Sequence, residues 1–283
     1  MQAELLWEAG AELGEGPCWS AAEQLLYWVD ILAGRVHAGP ELCLQLEHPV
    51  GCIAPRAGGG LILAEGHRFS EWGGAGTELR PVAILLEPPQ NRFNDGKCDP
   101  AGRFLAGSMD RNEKDSSGSL YSLEGRSVKS LLGGLGISNG LTWSPDGSTF
   151  YFIDTPTRTI QAFDYDLATG QLANGRIAVR VPAALGWPDG MTSDLDGNLW
   201  VAMWGGAQVA QWEPGRGRLL QTIPVPALHT SSCVFGGRDL NELYITSARK
   251  GLSPRQLSEY PLSGGVFRVI TRQTGMPVFE FIP

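Results

Sequence analysis

Short apolar stretches of strand length alternate along this chain with turns that contain Gly, Asp, Pro or Asn. Apolar residues fill stretches such as Phe150–Ile153 and Leu199–Met203, and the turns Ser144–Gly147 (SPDG) and Asp194–Gly197 (DLDG) precede them. Such Asp-Gly pairs are typical of hairpins between strands. Since no stretch shows a long helical period with caps, the pattern predicts an almost entirely β protein.

One unit of this pattern recurs, and in each copy a polar residue stands five positions before the turn. Degenerate copies begin at Cys52 and Ser231, and the four clear copies begin at Glu15 (EGPCWSAAEQLLYWVD), Asn94 (NDGKCDPAGRFLAGSM), Asn139 (NGLTWSPDGSTFYFID) and Asp189 (DGMTSDLDGNLWVAMW). These six blocks follow one another at roughly forty-five residues, which is the spacing of four-stranded propeller blades. We therefore expect an all-β chain that forms one domain over residues 1–283, a six-bladed β-propeller of four-stranded blades.

The same pattern predicts details within the blades. Residue types alternate at period two in Thr159–Tyr165 and Gln208–Glu213, which are interpreted as second strands. Leu5–Trp7 is expected to pair with the strand near Gly265–Ile270, because that pairing would hide the free edges of the first and last blades. The charged stretch Arg249–Glu259 could be helical, but Pro254 interrupts it.

Composition narrows the classes of partner. The formal charge is −8, and no basic stripe is available to neutralise phosphate, which argues against nucleic acid and anionic membranes as partners. The N-terminal residues lack a basic start followed by an apolar core, so no signal peptide is predicted. The five cysteines are odd in number and form no CxxC pair, which favours free thiols in a reducing cytoplasm.

The fixed offset in the repeat is the main functional signal. In a radial arrangement it places Glu15, Asn94, Asn139 and Asp189 at one level around the axis. Oxygen ligands that converge in this way suit a hard divalent cation, of which Ca²⁺ is the first expectation. Mg²⁺, Mn²⁺, Zn²⁺ and Fe²⁺ stay open. The competing interpretation is that these polar-Gly pairs only cap turns.

Several longer motifs carry a family resemblance that runs nearly from end to end. They are LGEGP (13–17), NRFNDGKCDPAGR (91–103), ISNGLTWSPDG (137–147), PDGM (188–191), WVAMWGG (200–206), CVFGG (233–237) and the tail ARKGLS…YPLSGGVF (248–267). Together they resemble the senescence-marker-protein/gluconolactonase/regucalcin-like family, six-bladed propellers that hydrolyse sugar lactones with a divalent metal. The tail is more similar to the bacterial aldonolactonase branch than to the animal calcium-regulatory branch.

The resemblance assigns residues to roles. It implies metal ligation by Glu15, Asn139 and Asp189, and substrate contacts by Arg92 and Asn94. A third substrate contact, an acidic residue in the family, falls in the MDRNEKD stretch, where strict register gives Asn112 and both Asp110 and Glu113 lie beside it. Asp95 is expected to brace its loop.

One motif points elsewhere and is rejected. Gly136–Gly140 (GISNG) matches the G-x-S-x-G nucleophile elbow, which works only at a strand-to-helix turn with an acid and a histidine following. Here a strand follows, and His229 is the single downstream histidine. Ser138 is therefore expected to shape the turn that presents Asn139. Most tryptophans are expected in the core, with Trp187 and Trp204 near the mouth of the pocket.

The expected function is hydrolysis of an aldonolactone to the aldonic acid, with the lactone as the small-molecule partner of a monomer or weak homo-oligomer. Asp189 would take a proton from the attacking water, or the metal itself would activate that water. Gluconolactone, xylonolactone, arabinonolactone and galactonolactone stay open as substrates. The alternative is a calcium-binding regulatory or scaffold propeller without catalysis, since a fold alone does not give a function.

Overall fold

Six four-stranded antiparallel sheets form a ring in the computed structural model, which describes residues 1–283. The first strand, β1 (Glu4–Trp7), belongs to the last blade. Blade 1 contains β2 (Gly14–Ser20), β3 (Leu25–Asp30), β4 (Arg35–Ala38) and β5 (Glu41–Gln45). Blade 2 contains β6 (Val50–Pro55), β7 (Leu61–Glu65), β8 (Arg68–Trp72) and β9 (Arg80–Ile84). Blade 3 contains β10 (Asn91–Cys98), β11 (Phe104–Asp110), β12 (Gly118–Glu124) and β13 (Ser127–Leu135).

The second half of the chain continues the same arrangement. Blade 4 contains β14 (Ser138–Trp143), β15 (Thr149–Asp154), β16 (Thr159–Asp166) and β17 (Gln171–Arg180). Blade 5 contains β18 (Trp187–Ser193), β19 (Leu199–Trp204), β20 (Gln208–Glu213) and β21 (Arg218–Pro224). Blade 6 contains β22 (His229–Gly236), β23 (Glu242–Ala248), β24 (Val266–Ile270) and β1. The six-bladed propeller expected from the sequence is thereby confirmed.

The first strand of each blade lies on the inside of the ring. Around the axis β2, β6, β10, β14, β18 and β22 contact one another in that order, and β22 contacts β2 again. Between the blades lie six apolar clusters, one at each interface. Trp19, Trp28, Trp143 and Trp200 are buried in these clusters, as expected. The β-branched and aromatic residues of the strands thus pack blade against blade.

The ring is closed by pairing the two ends of the chain. β1 pairs antiparallel with β24, with Leu5 opposite Phe267, as the sequence predicts. Arg268 adds an ion pair with Glu4 at 2.7 Å. This pairing gives the last blade its fourth strand, so its outer edge is formed by the N-terminal residues.

Two sequence-based expectations are wrong in detail. Thr159–Tyr165 and Gln208–Glu213 lie in β16 and β20, which are the third strands of their blades rather than the second. Pro254 does not interrupt a helix but begins one, α1 (Pro254–Glu259). Proline suits the first helical turn because a backbone N–H at that position would have no partner within the helix. Ser253 and Gln256 form a capping box at the same end.

The C-terminal residues cover one end of the propeller axis. Gly275 bridges Asp194 in blade 5, and Phe281 bridges Arg56 in blade 2. Two short 3-10 helices, Thr155–Thr157 and Ala183–Leu185, lie at the opposite end, beside the inner strands. All five cysteines are free thiols. None of the helices has the length and apolar composition needed to cross a bilayer.

Candidate metal centre and substrate pocket

A β-bulge interrupts every inner strand at the same height. The pairing with the second strand of the blade slips at Glu15/Cys18, Val50/Cys52, Phe93/Gly96, Asn139/Leu141, Pro188/Met191 and Thr230/Ser232. A bulge bends a strand locally and redirects a side chain. The repeated bulge is therefore the structural cause of the fixed offset seen in the sequence.

The four predicted polar side chains meet at this height. Glu15, Asn94, Asn139 and Asp189 are all buried and all line one cavity of about 550 Å³ on the axis. Blades 2 and 6 carry only Gly51 and Ser231 at the corresponding bulges, and the Ser231 hydroxyl donates to the Gly14 carbonyl. Four of the six blades therefore supply a polar side chain to the cavity, and the bulge residues of the two others do not line it.

A second layer of side chains lies above the first, toward the open end. Successive same-face residues in a strand are two positions apart. Two positions before the bulge residues stand Leu13, Arg92, Ile137, Trp187 and His229, and each of them lines the same cavity. The pocket thus has a polar floor and a mixed wall of one cation, two aliphatic residues and two aromatic rings.

The amide of Asn139 is held in one orientation. Its Nδ2 donates to the Thr155 hydroxyl at 3.1 Å, and that hydroxyl donates in turn to the Pro188 carbonyl at 2.8 Å. The hydroxyl can therefore only accept from Asn139, which leaves Oδ1 as the free amide atom. Oδ1 is buried and has no hydrogen-bond partner. A buried oxygen without a partner is costly, and a ligand that accepts its lone pair would remove that cost.

The two carboxylates of the floor are strongly perturbed. Burial, together with the neighbouring Asp95 carboxylate, raises the pKa of Glu15 to about 8. Burial and the proximity of Glu15 raise the pKa of Asp189 well above its ordinary value. A positive charge between the two groups would favour their ionised forms. No three His, Cys, Asp or Glu side chains form a metal cluster by themselves, so the amide oxygen of Asn139 completes the donor set.

These donors fit a hard divalent cation. Two carboxylates neutralise its charge, an unpartnered amide oxygen adds a third ligand, and oxygen-only ligation favours Ca²⁺, Mg²⁺ or Mn²⁺ over softer ions. The residues that would hold the ion are Glu15, Asn139 and Asp189, as the resemblance implies.

Arg92 and Asn94 form one unit beside the floor. One Nη of Arg92 donates to Asn94 Oδ1 at 2.6 Å and to the Phe93 carbonyl at 2.9 Å, and Asn94 Nδ2 donates to the Ser138 carbonyl at 2.9 Å. Burial lowers the pKa of Arg92 to about 10, so the guanidinium stays charged at neutral pH. Asn94 therefore aims the arginine fork and keeps one N–H and one lone pair for a ligand.

The three candidates for the third substrate contact lie at the end of β11 and in the loop that follows it. The Asp110 carboxylate accepts the backbone N–H groups of Asn112, Lys114 and Asp115, which fixes the loop, and Asp110 does not line the cavity. Asn112 is exposed. Of the three candidates, the cavity is lined by Glu113, whose carboxylate forms an ion pair with Lys250 at 2.5 Å.

A second, small cavity lies below the floor of the first. Asp95 accepts the N–H of Gly96 at 2.7 Å, which braces the loop as expected, and Asp95 also lines this second cavity together with Lys97. The Lys97 ammonium donates to the Met191 carbonyl at 2.9 Å. The Asp95 carboxylate is therefore close to the Lys97 ammonium, whereas Glu15 and Asp189 are close to each other.

Three polar side chains of the cavity lie outside the sequence-based expectations: Thr155, His229 and Lys250. The repeat carries a signal for His229, because it precedes Ser231 by two positions as Arg92 precedes Asn94. Thr155 follows a strand in a short 3-10 helix, and no offset marks it. Trp187 and Trp204 line the mouth, as expected. The Ser138 hydroxyl is buried in β14 without a hydrogen-bond partner, so no serine–histidine pair exists there.

Comparison with known proteins agrees with the sequence motifs. Residues 13–249 match the family model described as SMP-30/Gluconolactonase/LRE-like region. Regucalcin of Danio rerio is 41% identical over 266 residues, covering 91% of this chain and 90% of the relative. A solved luciferin-regenerating enzyme superposes with a TM-score of 0.91 at 31% identity, covering 99% of both chains. A calcium-binding protein of Agrobacterium tumefaciens, regucalcin, superposes with a TM-score of 0.92 at 27% identity, covering 98% of this chain and 96% of that one.

Proposed function

The chain belongs to the SMP-30/gluconolactonase/LRE-like family, and on this premise we propose that it is a divalent-metal-dependent sugar lactonase. Its substrate is an aldonolactone of the gluconolactone, xylonolactone, arabinonolactone or galactonolactone type, and its product is the aldonic acid. The observation that carries this proposal is the buried, unpartnered Oδ1 of Asn139, which lies at the same level as two carboxylates of raised pKa.

Glu15, Asn139 and Asp189 hold the cation in this proposal, with Ca²⁺ as the favoured ion. When bound, the cation supplies Lewis-acid polarisation of the lactone carbonyl. Arg92 donates hydrogen bonds to the substrate from the neighbouring wall, where burial strengthens its electrostatic effect. The resemblance predicts an acidic third substrate contact in that stretch, and we assign it to Glu113 rather than to Asn112, because Glu113 is the candidate that lines the cavity.

Asp189 moves the proton. Its carboxylate accepts a proton from water as the water oxygen forms a bond to the lactone carbonyl carbon. The bond from that carbon to the ring oxygen then breaks, and the ring oxygen takes up the proton that Asp189 returns. One water is consumed, the ring opens, and no covalent enzyme intermediate is formed. The aliphatic side chains of Leu13 and Ile137 in the upper wall limit the number of waters beside the reacting carbon.

A second candidate is a calcium-binding propeller without catalysis. It is favoured by the names of similar proteins, which are regucalcin in Danio rerio and a calcium-binding protein in Agrobacterium tumefaciens. The same metal site would serve both functions. They differ in whether Asp189 and Arg92 act on a substrate, so turnover rather than metal binding separates them.

The test is acid release from gluconolactone, measured at constant pH after chelation and after each cation is restored. We expect chelation to remove the catalysed rate, Ca²⁺ or Mn²⁺ to restore it, and Asp189→Asn to lower it at least ~100-fold. Asp196→Asn, an exposed turn carboxylate in the same blade, is the matched control and should leave the rate unchanged. Undiminished turnover in chelator or in the Asp189 variant contradicts the proposal. Calcium binding without turnover on any of the four lactones supports the second candidate.

The remaining expectations follow from the same proposal. The partner is a small sugar lactone, with neither nucleic acid nor a membrane as a binding surface, and the protein acts as a monomer or a weak homo-oligomer. Five free thiols favour a reducing compartment, so we assign the enzyme to the cytoplasm. The bacterial branch suggested by the tail stays a prediction.

A further inference from the structure

The wall of the pocket that faces Arg92 carries a histidine that the proposed mechanism does not use. Arg92 belongs to blade 3 and His229 to blade 6, and these blades are opposite each other because three inner-strand contacts separate them in either direction around the ring. Both residues stand two positions before their bulges and both line the cavity. The two side chains therefore face the same ligand space from opposite sides, at the same height.

The His229 ring is fixed in one orientation. It stacks on Trp204 with ring centroids 4.1 Å apart and an angle of 8° between the planes. Trp204 lies opposite Trp187 in the pairing of β18 with β19, and the Arg158 guanidinium lies 3.4 Å from the centroid of the Trp187 ring. His229 Nδ1 is buried and has no hydrogen-bond partner. Nε2 is consequently the ring nitrogen that a ligand in the cavity can reach.

The His229 imidazole is also uncharged at neutral pH. Burial, followed by the positive charge of Lys250, lowers the pKa of His229 to about 4. A neutral imidazole presents either an N–H donor or a lone-pair acceptor at Nε2, depending on which nitrogen carries the proton. Arg92 can only donate. A ligand that both donates and accepts hydrogen bonds, as a hydroxyl group does, fits between these two side chains.

We propose that His229 is a substrate-binding residue that hydrogen-bonds a ring or chain hydroxyl of the lactone through Nε2, on the side opposite the group held by Arg92. Trp204 fixes the ring that makes this bond, and Trp187 supplies a flat apolar surface for the C–H groups beside it. The identity of the ligand as a polyhydroxylated lactone rests on the proposed function. The residue that distinguishes hydroxylated from plain lactones is then His229.

The test uses a ligand that water does not open, so that binding is measured apart from turnover. D-glucono-δ-lactam, in which N–H replaces the ring oxygen of gluconolactone, is titrated into the full protein by calorimetry in buffer with Ca²⁺. We expect His229→Leu to weaken binding at least about fivefold and His229→Gln, which keeps a donor and an acceptor, to recover most of that loss. In turnover, His229→Leu should raise KM for gluconolactone with kcat unchanged, and should leave unsubstituted δ-valerolactone unaffected.

His37 provides a matched control. It stacks on Trp28 at 4.0 Å and 8°, its Nδ1 is also buried without a partner, and it lies outside the cavity. His37→Leu should lower the melting temperature about as much as His229→Leu, without changing lactam affinity. Lactam binding by His229→Leu equal to the wild type, or equal losses in the Leu and Gln variants, overturns the inference. If the wild-type protein binds the lactam but hydrolyses no lactone, only the proposed lactonase activity is contradicted. The lactam affinities of the His229 variants then still test whether His229 binds the ligand.

Discussion

Replacing Glu15 by glutamine should stabilise the metal-free protein. Glu15 lies at the floor of the pocket, where its Oε2 accepts only the N–H of Gly16 at 2.8 Å, and the Asp95 and Asp189 carboxylates lie close by. Without a cation, ionising Glu15 places one more negative charge among buried carboxylates. Glutamine has nearly the same shape and carries no charge, so the variant removes the repulsion and keeps the packing.

The size of the effect follows from the pKa of Glu15, which rises from 4.5 to about 8 on folding. Below pH 4.5 the group is protonated in both states and the substitution has no electrostatic effect. Above pH 4.5 the unfolded chain releases the proton and the folded chain keeps it, so metal-free stability falls by about 1.4 kcal/mol per pH unit until pH 8. At pH 7 the accumulated cost is about 3 kcal/mol, which corresponds to roughly 6 to 12 °C in melting temperature.

Differential scanning calorimetry in chelator, between pH 5 and 7.5, measures this difference. Glu15→Gln should melt higher than the wild type at pH 7, and the gap should narrow toward pH 5. With saturating Ca²⁺ the order should reverse, because the wild type binds the ion more tightly. Glu41→Gln, an exposed glutamate in the same blade, should show neither effect. A metal-free variant no more stable than the wild type at pH 7, or a gap that does not depend on pH, would show that Glu15 carries no such penalty on ionisation.

Three further predictions concern the support of the site and the closure of the ring. Thr155→Val removes the hydroxyl that fixes the Asn139 amide and should weaken Ca²⁺ binding about tenfold by calorimetry, whereas Thr157→Val in the same turn should not; equal affinities would contradict this. Gly140→Ala should lower stability by about 2 kcal/mol or more, because the new Cβ would lie 2.5 Å from the Asp189 carbonyl oxygen, whereas Gly215→Ala meets nothing and should be neutral in thermal melts. Deleting residues 1–8 removes β1 and should lower the melting temperature on the order of 10 °C; unchanged melting would show that the β1–β24 pairing does not close the ring.

The fold could be read from the sequence because its determinants are local and repeated. Apolar strands, Asp-Gly turns and a constant spacing each report on one blade, and six copies reinforce one another. The errors occurred where local rules allow two outcomes. A proline in the interior of a helix disrupts it, whereas a proline in the first turn is favoured. The sequence alone therefore does not show whether Pro254 interrupts a helix or begins one. Alternation identifies a strand but not its order in the sheet, so the pattern of Thr159–Tyr165 does not show that this strand is the third of its blade rather than the second.

The site was predictable to the extent that the repeat displays it. Glu15, Asn94, Asn139 and Asp189 share an offset because the bulge recurs in each inner strand. His229 shares the offset of Arg92 one layer higher, but the degenerate sixth copy hides it. Thr155 is not predictable in this way, because its contact with Asn139 depends on how a 3-10 helix folds back over the inner strand.

The most direct test of the account is the anomalous difference density of Mn²⁺ in crystals soaked with that ion. One strong peak is expected on the propeller axis, about 2.0 to 2.6 Å from a carboxylate oxygen of Glu15, from Asn139 Oδ1 and from a carboxylate oxygen of Asp189. Strong density elsewhere, or none between these three side chains at saturating Mn²⁺, would contradict it.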